Sequence, residues 1–148
     1  MLNKVTWKRW RISQEFWENP KMYAQFWWKG HNGIDLATPV GTHIFSTHDG
    51  IAEVLDDKTG YGLHVKIKRL LWDGWYETIY AHLSKVYIKN WPVGKGVIIG
   101  KSGNTGNSTW PHLHFWLRFY NPDGSIKDKG NGYWWWVNPR PYFLPWKI

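Results

Sequence analysis

The stretch from Gly103 to Phe115, Gly-Asn-Thr-Gly-Asn-Ser-Thr-Trp-Pro-His-Leu-His-Phe, decides how this chain is read. A turn-rich lead-in (Gly103, Asn104, Gly106, Asn107, Ser108) gives way to a run that reads as a strand, Leu113 to Tyr120. Side chains alternate along a strand, so His112 and His114 share one face while Leu113 and Phe115 take the other. Two imidazoles on one face beside a loop can hold a metal, or hold a metal and place a base next to it. Alone, the pair is weak, because a strand with two outward polar residues is the plainer account of it. The rest of the chain supplies the context.

Outward from that stretch, the sequence reads as short strands separated by turn signals. Ile12 to Phe16 reads as a strand, Glu18-Asn19-Pro20 as a turn and Met22 to Trp28 as one or two helical turns. Thr42 to Ser46, Ile51 to Leu55, Leu63 to Ile67 and Tyr76 to His82 are further strands, with Asp73-Gly74 as a hairpin turn. Leu63, Val65 and Ile67 alternate with His64, Lys66 and Lys68, and strict alternation puts Thr78, Tyr80 and His82 on one face. Ser84 to Trp91 reads as irregular, followed by a short strand at Val97-Ile98-Ile99 and a strong turn at Asn121-Pro-Asp-Gly124. This spacing means a mostly β domain without internal repeats. His31 and Asp35 are four apart, which would align them on a helix, but Gly30 and Gly33 argue for a loop entering a strand. Both side chains can converge either way, and a His with a carboxylate suits zinc. The plainer reading of that pair is a capping Asp and a surface His.

Composition narrows the chemistry. At 148 residues the chain is expected to be one domain, residues 1–148, with 1–11 as a possible basic extension. With no cysteine, any metal must sit on His, Asp or Glu. No stretch approaches the roughly 20 apolar residues of a membrane span, and the basic start reads as no secretory signal. A formal charge of +8 favours an anionic partner: nucleic acid, a membrane surface or a cell-wall polymer. Fourteen tryptophans are far above ordinary usage and read either as packing or as stacking surfaces for sugars or bases.

His31-x-x-x-Asp35, Tyr80-Ala-His82-Leu-Ser84 and His112-Leu-His114 form an ordered set. With their flanks (Gly-His-Asn-Gly-Ile-Asp-Leu-Ala, Gly-Thr-His-Ile, Ser-Gly-Asn-Thr-Gly and the closing Val-Asn-Pro), they resemble the lysostaphin/LytM-type zinc endopeptidases of peptidoglycan, from about Ile12 to Leu144. The resemblance implies an all-β fold: a small antiparallel sheet, a barrel-sandwich hybrid with long loops around a groove. It implies one zinc ion on His31, Asp35 and His114, with a fourth place left for water. His82 and His112 would be the unligated catalytic pair. Tyr80, Asn104 and Trp110 are candidate substrate contacts. His43, His48 and His64 read as ordinary surface histidines. The expected substrate is a peptidoglycan stem or cross-bridge peptide, with small residues favoured by a narrow groove and anionic wall polymers as possible partners. The expected site of action is the cell wall, extracellular or periplasmic. Without a signal in this chain, phage-type release and excision from a longer exported protein are both open. A monomer is expected.

Two rival classes stand beside this one. A relative that only binds peptidoglycan or activates another hydrolase should lose ligands, yet all five polar positions remain. A basic, aromatic nucleic-acid-binding β domain leaves the ordered His/Asp set unexplained, so no nucleic-acid partner is expected. One departure stands out. Trp17 and Trp110, and less clearly Trp27, Trp91, Trp116 and members of the Trp134-Trp135-Trp136 run, occupy positions where the family's pattern usually has glycine. One account is a gene whose UGA codons mean glycine but were translated as tryptophan. The other is genuine aromatics forming a glycan surface, with Trp110 crowding the groove.

Overall fold

Glycine, asparagine and proline punctuate the chain often enough that among the described residues no helix exceeds four residues, and β-branched and aromatic runs between them pair as strands. The computed structural model describes residues 1–133 and 135–144; Trp134 of the tryptophan run lies outside them. In chain order the elements are β1 (Ile12–Gln14), α1 (Pro20–Tyr23), β2 (Ile34–Leu36), β3 (His43–Phe45), β4 (Gly50–Asp57), β5 (Gly62–Leu71) and β6 (Gly74–Val86). Then come β7 (Pro92–Val93), β8 (Ile98–Ser102), β9 (Leu113–Tyr120), β10 (Gly132–Tyr133) and β11 (Trp136–Val137). Among the described residues the strands form one eleven-stranded antiparallel network. Its main order is β1-β2-β9-β6-β5-β4-β7; β3 joins β6 through β8, and β10 joins β9 through β11. The mostly antiparallel β fold expected from the sequence is what forms.

β9 is the central strand and is buried on both faces. Leu113, Phe115 and Leu117 point into the core with Ile34, Leu36, Val65, Ile67, Ile79 and Leu83. His112, His114 and Trp116 line the opposite face, as alternation from the sequence requires.

Several local expectations change. The β5–β6 hairpin turns at Trp72-Asp73, because Gly74 already pairs with Leu71. β6 continues to Val86, into the stretch read as irregular, because it gains β8 as a second partner. The helical turns begin earlier, at Pro20, and pass into a 3-10 turn at Ala24–Phe26 that ends on Trp27. Residues 1–11 are docked rather than extended: Leu2 and Val5 are buried, the Leu2 N–H donates to the Tyr142 carbonyl at 2.7 Å, and Leu144 N–H donates back to Leu2 at 3.0 Å. Their basic residues had masked two apolar anchors.

Candidate metal centre

The site is assembled by strand register. β9 lies between β2 and β6, and pairing sets Asp35 opposite His114 and Ala81 opposite His114, so all three stand in one row on one face. His31 enters from the loop before β2. Its backbone is pinned by two hydrogen bonds, Trp17 N–H to the His31 carbonyl at 2.8 Å and His31 N–H to the Glu18 carbonyl at 2.9 Å. Gly33, between His31 and Asp35, lets this loop approach β9: a Cβ there would lie 2.4 Å from the Phe115 carbonyl oxygen and 2.9 Å from the His114 ring.

Three ligand-type atoms then converge. His31 Nε2, Asp35 Oδ1 and His114 Nδ1 form a triangle with edges of 3.0, 2.8 and 3.2 Å. All three residues are almost fully buried. The protonation pattern shows why the triangle suits a cation. His31 Nδ1 lies 3.1 Å from the Glu15 carbonyl, which can only accept, so Nδ1 carries the proton and Nε2 presents a lone pair. That lone pair faces the Asp35 oxygen at 3.2 Å, an acceptor facing an acceptor, which a positive charge between them resolves. The triangle is slightly tighter than the roughly 3.3 Å edge of a tetrahedral zinc site with bonds of about 2.0 Å. A His/Asp/His donor set of this kind fits zinc. The Glu15 carbonyl supplies the outer hydrogen bond that orients a ligating imidazole.

His82 reaches the site by a break in the strand. Leu63 pairs with Leu83 and Val65 with Tyr80, so His64 alone on β5 faces both Ala81 and His82 on β6. His82 takes φ 59°, and this bulge swings its ring away from Tyr80's face toward the histidine face. Its ring centroid lies 4.7 Å from His112 and 5.9 Å from His114. The grouping of Thr78, Tyr80 and His82 on one face is thereby corrected. Tyr80 is corrected too: its side chain is wholly buried, packs on Phe115 and places its hydroxyl 2.7 Å from Thr47 Oγ1, so it does not line the site.

His82 and His112 are held alike. His82 Nδ1–H donates to the Thr105 carbonyl at 2.8 Å, and His112 Nδ1–H to the Trp110 carbonyl at 2.8 Å. Both rings thus present Nε2 to the site; that of His112 lies 3.6 Å from Asp35 Oδ2. Burial raises the Asp35 carboxyl, but the His114 and His31 imidazoles beside it outweigh burial and hold the group well below the usual carboxylate range. Burial, aided by the neighbouring His114 and His112, pushes His82 down to about 4, and burial lowers His114. The imidazole at 82 is therefore neutral at neutral pH.

Trp110 is partly exposed and tilts over His112 with ring centroids 4.8 Å apart. Asn104 is exposed at the same loop and accepts a hydrogen bond from Ser108 Oγ at 2.6 Å. Sequence reasoning missed Tyr61 and Asn32. The Tyr61 ring stacks on His114 at 5.7 Å, and its hydroxyl accepts from Asn32 Nδ2 at 2.8 Å. Only the Gly-Tyr-Gly setting of Tyr61, a ring in a turn, marked it in the sequence. Two histidines read as surface residues are buried. His48 donates to the Asp49 carbonyl and accepts from Thr78 Oγ1 at 2.9 Å, while His64 donates to the Gly62 carbonyl at 2.8 Å. Both use hydrogen bonds that strand alternation does not reveal.

The comparisons with known proteins agree with this geometry. The model of Peptidase family M23 matches residues 29–127, a span that holds His31, Asp35, His82, His112 and His114. The DD-carboxypeptidase/endopeptidase Mpg of Neisseria meningitidis serogroup B is 42% identical over 91 residues, 62% of this chain and 20% of its own. The peptidoglycan DD-endopeptidase ShyA of Vibrio cholerae is 38% identical over 112 residues, 74% of this chain and 25% of its own. The chain thus spans about a fifth to a quarter of these curated relatives. Among solved structures, lysostaphin from Staphylococcus simulans superposes with a TM-score of 0.70 at 26% identity, over 96% of this chain and 53% of that one. The catalytic domain of the prophage-encoded M23 protein EnpA from Enterococcus faecalis gives 0.67 at 28% identity, over 86% of this chain and 94% of that one. A match across two thirds of the sequence, centred on the converging histidines and aspartate, means that this chain belongs to Peptidase family M23.

Proposed function

We propose that this chain is a zinc-dependent endopeptidase that hydrolyses peptide bonds in peptidoglycan stem or cross-bridge peptides. The observation that carries the reading is the buried triangle of His31 Nε2, Asp35 Oδ1 and His114 Nδ1, with an acceptor-to-acceptor contact inside it and two oriented imidazoles beside it. The three triangle residues would hold one zinc ion. Zinc bound there supplies a Lewis acid that polarises a carbonyl and brings the pKa of water toward about 7. His82 and His112, each with Nδ1–H committed to a backbone carbonyl, keep Nε2 free to take a proton from water and return it to the leaving amine. Tyr61 walls the site behind His114. Asn104 and Trp110, on the rim, would touch substrate.

All five polar side chains stand together, which favours catalysis over a binding-only relative. The relatives named as peptidoglycan endopeptidases support the wall as substrate. The charge of +8 would hold a single copy of the chain near anionic wall polymers, outside the cell membrane or in the periplasm. Among the described residues no helix is long and apolar enough to cross a membrane.

The test is release of new amino termini from purified peptidoglycan. A chelator should abolish release and added zinc restore it. Release that persists in chelator would remove zinc from the account, and no release from any wall preparation by the zinc-loaded chain would remove the endopeptidase.

A further inference from the structure

We infer that Thr105 is a positioning residue whose hydroxyl holds open the bulge that aims His82. This rests on the role proposed for His82. At the bulge Leu63 and Leu83 face each other across β5 and β6. The Leu63 N–H donates to Thr105 Oγ1 at 3.0 Å, and Thr105 Oγ1 donates onward to the Leu83 carbonyl at 2.8 Å. The hydroxyl is thus inserted between two strands where their ladder parts, satisfying a donor and an acceptor that the irregular register leaves over. The same residue's carbonyl accepts the His82 Nδ1–H at 2.8 Å. One side chain and its own carbonyl therefore fix the backbone under His82 and the tautomer of its ring.

The surroundings are built for this insertion. Gly62 has φ 64°, and a Cβ on it would lie 2.4 Å from Thr105 C and 2.5 Å from Thr105 Oγ1. Gly106 has φ 73°, and a Cβ there would meet the Gly62 nitrogen at 2.3 Å. Two glycines let the loop enter the gap between β5 and β6, and threonine brings a hydroxyl to the place where both orphaned groups meet. A methyl in its place leaves both unpaired.

The test compares Thr105→Val and Thr105→Ser in the zinc-loaded chain by imidazole nitrogen NMR together with wall hydrolysis. In the unmodified chain the His82 ring should be protonated at Nδ1. Thr105→Val should keep its zinc, mix the two tautomers of His82 and lower kcat at least tenfold with little change in KM. Thr105→Ser should restore both. A unmixed Nδ1–H signal in Thr105→Val, or a Thr105→Ser that behaves as Thr105→Val, overturns the inference. If Thr105→Val does not fold, Thr105→Ser decides: a folded variant with the Nδ1–H tautomer and full kcat is expected, and mixed tautomers in it contradict the inference. The tautomer is read without turnover, so failure here is distinct from failure of the endopeptidase reading.

A second observation carries a separate proposal. Of the described non-glycine residues, four have positive φ: Trp17 at 73°, Asn19 at 53°, Trp27 at 61° and His82 at 59°. Asparagine is at ease there and His82 sits at the bulge, but a bulky indole in this region is an outlier. Trp27 ends a 3-10 turn in the left-handed position where glycine usually stands, and its ring is 84% exposed. Trp17 lies where the chain folds onto Gly30. We propose that positions 17 and 27 are glycine in the working protein, encoded by UGA codons that its source reads as glycine. Tryptic peptides 12–21 and 22–29 of the protein from its source should carry glycine masses at both positions. Trp17→Gly and Trp27→Gly should each raise the melting temperature of the recombinant chain, whereas Trp7→Gly should not. UGG codons, or tryptophan in both peptides, overturn the proposal.

Discussion

His112 and His114 stand two residues apart on one strand, yet they answer to different tests. His114→Ala removes a corner of the ligand triangle, whereas His112→Ala leaves all three corners in place. His112→Ala should therefore keep its metal while wall hydrolysis falls by about 10²- to 10⁴-fold, the usual contribution of a positioned acid or base. Gly33→Ala makes a different point about the same strand. Its new Cβ would press on the Phe115 carbonyl and the His114 ring, so the variant should bind zinc more weakly, as equilibrium dialysis would show. The five polar site positions were legible because their chemistry and order are carried by residue type. Tyr61 and Asn32 were not, because each matters only through a contact far away in the chain, the Tyr61 ring on His114 and the Asn32 amide on Tyr61. Tyr80 misled for the opposite reason: it neighbours His82 in sequence but faces the core.

At the level of elements, β9 does two tasks on two faces, core packing through Leu113, Phe115 and Leu117 and site building through His112 and His114. Phe115→Ala should cost about 3–5 kcal/mol in denaturant unfolding, as for other buried aromatics cut to alanine. β9 itself was plain in the sequence, with the same bounds, since eight residues rich in aromatics and leucine follow a turn-rich loop. The turn of His82 was not plain. A bulge changes which face a residue takes without changing the alternation of residue types, and only the register of β5 on β6 exposes it. The docking of the first residues was hidden in the same way. Leu2→Ala should destabilise the chain by about 2–5 kcal/mol, where a free extension would register nothing.

For the molecule as a whole, the buried His48 ties stability to pH. Burial pushes it down to about 4, partly opposed by its hydrogen bond to the Asp49 carbonyl. An unfolded chain takes up a proton near pH 6.5 that the folded chain refuses until about pH 4, so stability is full above pH 6.5 and falls as pH drops through that window. Between pH 7 and 5 the loss from this group should be about 2 kcal/mol, and His48→Gln should flatten that part of the curve in pH-dependent unfolding. The whole-molecule arrangement also sets the central claim: β2 with its preceding loop meets β9, 79 residues on, so that His31, Asp35 and His114 can share one ion. The most direct test is zinc per chain, measured by native mass spectrometry on the unmodified protein, His112→Ala and His114→Ala. One zinc, one zinc and none is the predicted result. Zinc retained at full stoichiometry in His114→Ala, or absent from the unmodified protein after loading, would contradict the site.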